Sequence, residues 1–94
     1  MIRSYKNKPT EKLARNLFVK AFEPFAVSAK KRLASLASAT SLNDLLAVRG
    51  NRLEMLKGDR IGQCSIRINE RWRICFVWNE AEKGAEAVEI VDYH

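Results

Sequence analysis

The 94 residues read as one domain, 1–94, with a thin core; 47% hydrophobic and 30% charged residues with only four Gly and two Pro exclude a disordered chain. Lys and Arg outnumber Asp and Glu by 17 to 11, a net charge of +6 that favours polyanions, nucleic acid first, as partners. No apolar run approaches the roughly 20 residues that span a bilayer and MIRSYKNKPTEK has no apolar signal-peptide centre, so no membrane association and a cytoplasmic location are expected.

In chain order, Ile2 to Tyr5 reads as a brief strand. Residues 10–22 are predicted helical, because Leu13, Leu17 and Ala21 recur every four residues with Ala14 and Phe18 beside them. Pro24 starts a second helix in which Ala29, Leu33, Leu36 and Ala37 share a face that packs on a sheet, leaving Lys30, Lys31 and Arg32 to solvent. Ser41-Leu42-Asn43-Asp44 has the form of a capping box with Asp in place of Glu, and predicts a helical turn through Leu45 and Leu46 before Gly50-Asn51.

From Asn51 onward the hydrophobic period changes to two. Leu53 and Met55 alternate with Arg52 and Glu54, and Gly58-Asp59 turns the chain. Cys64, Ile66 and Ile68 form the next apolar set, then Trp72, Ile74, Phe76 and Trp78. A last strand over about 86–93 follows a turn near Lys83-Gly84. Helices followed by an antiparallel meander predict an α+β fold.

Loop length at Asn69-Glu70 decides which side chains share a face. A two-residue loop sets Ile68 against Arg71 and mixes core with surface. A three-residue loop pairs Ile68 with Trp72 and Ile66 with Ile74, so one face is continuously apolar. The other face then carries Arg67 opposite Arg73 and Ser65 opposite Cys75. Like charges across a ladder are unfavourable alone, so an anion is expected between them. The same register separates Cys64, inside, from Cys75, and argues against a disulfide. Both tryptophans fall on the core face, where they pack instead of stacking on bases.

That face suits RNA cleavage without metal or cofactor, since a 2′-hydroxyl attacking its neighbouring phosphate needs a base, an acid and cations for the charged phosphorane. Arg67 and Arg73 fit the cationic role, because guanidinium stays protonated and grips two phosphate oxygens. Lys57 precedes the Gly58-Asp59 turn, near the same face. His94 is the single histidine and titrates near neutrality, with Asp92 placed to orient it.

Leu56-Lys57-Gly58-Asp59-Arg60, the stretch from Ser65 through Trp72-Arg73, and Asp92-Tyr93-His94 together resemble the HigB-like toxins, including the GraT type, of the RelE/ParE superfamily. The resemblance implies a RelE-like fold, N-terminal helices packed on a curved antiparallel sheet. It further implies a type II toxin that cuts mRNA in the 70S ribosome and is neutralised by a HigA-like helix-turn-helix antitoxin. Under it Lys57, Arg67, Arg73, Asp92 and His94 are the expected catalytic residues, and Arg60, Arg71 and Tyr93 the expected RNA contacts. Glu54 departs from the pattern, since some relatives carry histidine there. Two alternatives stand beside this reading: a non-catalytic gyrase poison of the ParE branch, and a basic RNA-binding module.

Overall fold

The structure, a computed structural model, describes residues 1–93. Helix α1 spans Lys8–Ala14, with the Asn7 side chain accepting the Thr10 amide at 3.1 Å and Pro9 in the first turn. It ends well before the predicted boundary. Asn16 adopts a left-handed φ of 64°, and the amides of Asn16 and Leu17 reach back to the carbonyls of Leu13 and Lys12, each at 2.9 Å. This two-bond closure stops a helix on a left-handed residue, a conformation that asparagine tolerates. Leu17 and Phe18 are consequently 52% and 70% exposed, and the expected apolar stripe contracts to Leu13 and its neighbour Ala14.

A 3-10 stretch, Lys20–Phe25, contains Pro24 and buries Phe22. Helix α2, Ala26–Ser38, buries Ala29, Leu33 and Leu36 as expected, but Ala37 faces outward and Ala39, just past the helix, enters the core instead. Helix α3, Leu42–Leu46, has the reciprocal cap. Ser41 Oγ accepts the Asp44 amide at 3.2 Å, while the Asp44 carboxylate accepts the Thr40 amide at 2.8 Å and the Thr40 hydroxyl at 3.1 Å. Those bonds to Thr40 hold the Asp44 carboxyl below its usual range.

Strands β1 (Glu54–Met55), β2 (Cys64–Arg67), β3 (Trp72–Asn79) and β4 (Gly84–Asp92) form one antiparallel sheet in that order. The register is the one the apolar pattern selects: Ile66 pairs with Ile74 and Arg67 with Arg73. The Ile68 amide meets the Trp72 carbonyl at 2.9 Å, and Asn69 Oδ1 accepts the amides of Arg71 and Trp72 to close the loop. On the inner face Ile66, Ile74, Phe76 and Val88 pack with Leu13 and Leu36, all at most 2% exposed. Trp72 lies on this face, its ring 4.8 Å from that of Phe25 and 6.0 Å from that of Phe22. Helices on one face of an antiparallel sheet are the expected α+β architecture. Among the described residues no helix is long and apolar enough to cross a membrane.

The predicted N-terminal strand is realised as two parallel bridges, Ile2 with Ala85 and Tyr5 with Val88. Its approach to β4 is close: a Cβ on Gly84 would lie 2.9 Å from the Met1 carbonyl oxygen, so that position needs glycine. Beside it the β3–β4 register slips, and Ala87 takes a φ of 51° and donates its amide to Ser4 Oγ at 2.9 Å. The extra residue changes which face follows. Ala85, Val88 and Ile90 point to the core, whereas Glu89 is carried to the face that bears Arg67 and Arg73.

Candidate nucleic-acid interface

Alternation along β2 and β3 sends Ser65, Arg67, Arg73 and Cys75 away from the helices. The facing arginines avoid each other by unequal anchoring. Arg73 donates from Nε to Ser65 Oγ at 2.7 Å and from Nη2 to the Arg52 carbonyl at 2.7 Å. That carbonyl is aimed by Arg52 itself, which turns the chain through a left-handed φ of 45°. Among the described residues Arg67 makes no side-chain hydrogen bond or ion pair, so its donors are available. The result is one guanidinium held in place beside one that is uncommitted, which suits an anion better than two mobile side chains do.

An open cleft of about 420 Å³ is lined by Glu54, Met55, Leu56, Lys57 and Tyr93, and is linked to the arginine pair through Glu54, whose strand partner Ser65 binds Arg73. Glu54 stands opposite Ser65, and Lys57 leads into the 3-10 turn Gly58–Arg60. Tyr93 follows β4, its amide bound to the Arg71 carbonyl at 2.7 Å, and its side chain closes the cleft from the β4 end. Lys57 and Tyr93, separated widely in sequence, are thus brought to one cavity.

Arg71 and Asp92 meet in a two-pronged ion pair, with Arg71 Nη2 2.7 Å from Asp92 Oδ2 and Nε 2.9 Å from both oxygens. The carboxylate raises the already high Arg71 pKa. Arg60 binds Glu89 Oε1 at 2.9 Å and Gln63 Oε1 at 3.0 Å, and its bond to Glu89 likewise raises its pKa. The two expected RNA contacts with guanidinium groups therefore already hold carboxylates. His94 lies outside the described residues.

Cys75 sits on the arginine face, as the register requires, yet it is 1% exposed, and burial pushes its thiol pKa up. Neither cysteine is in a disulfide. Ser65, Cys75 and Glu89 are neighbours across β2, β3 and β4 and are all buried, although no helix covers them. Sequence reading passed over Ser65 as an acceptor for Arg73, and over Glu89 altogether. The serine was legible from its register next to Arg73; the outward face of Glu89 was legible from its place between the core residues Val88 and Ile90, but its partner Arg60 was not.

Two comparisons bear on this face. The family model described as a RelE-like toxin of the type II toxin-antitoxin system HigB matches residues 6–94. Toxin HigB-1 of Vibrio cholerae serotype O1 is 42% identical over 48 residues, a match covering 51% of this chain and 50% of that protein. The chain thus spans about half the length of the curated relative it resembles.

Proposed function

The chain belongs to the HigB-like family of RelE-like toxins from type II toxin–antitoxin systems, and from that premise we propose that it is an endoribonuclease that cuts mRNA on the ribosome. The observation that carries the proposal is the Arg67/Arg73 pair, with Arg73 anchored by Ser65 and Arg52 beside the cleft that holds Lys57 and Tyr93. A phosphate lying between the guanidiniums meets one of them, that of Arg73, fixed before it arrives, so less reorganisation accompanies the build-up of charge than with two mobile side chains.

In this mechanism the 2′-hydroxyl loses its proton and attacks the adjacent phosphorus, the bond to the 5′-oxygen breaks, and that oxygen takes up a proton. The products are a 2′,3′-cyclic phosphate and a 5′-hydroxyl. Arg67 and Arg73 stabilise the phosphorane. Lys57 and His94 serve the proton transfers and their charge, with Asp92 orienting His94; Arg71 and Tyr93 contact the flanking RNA. A HigA-like helix-turn-helix antitoxin is the proposed neutralising partner.

Programmed ribosomes and a defined mRNA test the proposal directly. Arg73→Ala is expected to lower cleavage about 10²–10³-fold while the fold survives, and a 2′-deoxy nucleotide at the cut site should abolish it. Cleavage that ignores the 2′-deoxy substitution overturns the chemistry. DNA breaks with intact mRNA would instead assign the chain to gyrase poisoning.

A further inference from the structure

The burial of Ser65, Cys75 and Glu89 on a sheet face that no helix covers calls for a cover. Glu89 is on β4, and Cys75, opposite it, is on β3; Ser65, opposite Cys75, is on β2. Arg60 belongs to the turn between β1 and β2. For its Nη1 to stand 2.9 Å from Glu89 Oε1, Arg60 must reach from that turn across β2 and β3. It crosses the sheet as a strap. Gln63 holds Arg60 from its own side at 3.0 Å, and Lys6, on the N-terminal segment, stands 3.6 Å from the same Glu89 oxygen. The Glu89 side chain is only 12% exposed, and one of its oxygens is shared by these two cations.

Lys57, three residues before Arg60, caps the start of the 3-10 turn, and the Arg60 amide bonds the Lys57 carbonyl at 3.2 Å. Gly58 between them has a φ of 63°, and nothing lies within 4 Å of where a Cβ would stand, so no side chain packs on the turn at that point. We propose that Arg60 and Glu89 are a positioning pair that holds the turn over the sheet and thereby sets Lys57 against the Arg67/Arg73 site, and that Arg60 is not itself a phosphate contact. The proposal rests on the nuclease reading above for its catalytic consequence, but not for its structural one.

The two roles for Arg60 make opposite statements about Glu89. If Arg60 grips phosphate, Glu89→Gln frees it and leaves binding as strong or stronger, while Arg60→Gln lowers the salt slope of ribosome or RNA binding by about 1. If the pair is a strap, Glu89→Gln and Arg60→Gln each lower kcat by about ten- to hundredfold with KM and salt slope unchanged, and the double variant is no worse than either single one. Amide hydrogen exchange at Gly58–Arg60 should rise in both variants, whatever the activity of the protein. Unchanged exchange in both variants overturns the proposal, as does a Glu89→Gln enzyme with full kcat. Should the wild-type chain cut no RNA on ribosomes, the nuclease reading fails while the exchange measurement still decides the strap. Arg60 is the more exposed partner, so Arg60→Gln keeps the test open if Glu89→Gln does not fold.

Discussion

At the scale of single residues, the site works by giving chemically identical side chains different surroundings. Arg67 and Arg73 are cross-strand partners, but only Arg73 is anchored, by a buried hydroxyl and a carbonyl. Ser65→Ala removes the hydroxyl and leaves Arg73 Nε to water, since that side chain is only partly buried. The expected outcome is a loss of about 1 kcal/mol in chemical denaturation and a fall in cleavage well beyond what that destabilisation explains. Full activity in Ser65→Ala would show that Arg73 needs no anchor. The facing of the two arginines was legible in sequence, because one apolar register excluded the other. The bond from Arg73 to the Arg52 carbonyl was not, because it depends on a left-handed turn that no motif announces.

At the scale of elements, the boundary of α1 is the clearest departure from periodicity. A repeat of four continues through Leu17 and Ala21, but Asn16 closes the helix, and a pattern of apolar positions carries no information about a stop that uses backbone bonds. Phe18→Ser should therefore shift stability by no more than about 0.5 kcal/mol, whereas Leu13→Ala should cost about 2–5 kcal/mol. Urea titration of the two variants separates the observed helix from the predicted one. The cap of α3 has a pH signature. Bonds to Thr40 depress the Asp44 pKa in the folded chain, so the stabilisation is present above the unfolded carboxyl's pKa and is lost as pH falls through the lower folded value. Asp44→Asn should melt earlier than wild type at neutral pH, and the two melting temperatures should converge in acid. The meander and its core were legible throughout, because strand alternation persists wherever one face is buried. The β4 bulge breaks that alternation at Ala87, so that Ala85 and Val88, three residues apart, both enter the core.

For the whole molecule, the helices and the Arg67/Arg73 pair occupy opposite faces of one sheet, and the net charge of +6 lies in residues 1–50, with ten Lys/Arg against three Asp/Glu, while residues 51–94 carry seven against eight. On the proposed function, binding to ribosome-held mRNA should weaken steeply with salt, each phosphate contact adding a slope of about 0.7 for a single strand. Arg67→Ala is expected to reduce that slope, and Lys31→Ala, on exposed α2 surface, to leave it unchanged. An equal effect of both would mean that charge acts without regard to face. The joining of the N-terminal segment to β4 also has a kinetic side. Ser4 bonds Ala87 and Thr10 bonds Ile90, contacts about eighty residues apart. Loop closure of that span is slow compared with local helix formation, and β4 must first be synthesised. A growing chain can form local structure early, but its sheet is completed only once β4 has cleared the ribosome that made it. On the proposed function, the order of assembly delays the toxin until the ribosome most exposed to it has finished building that strand.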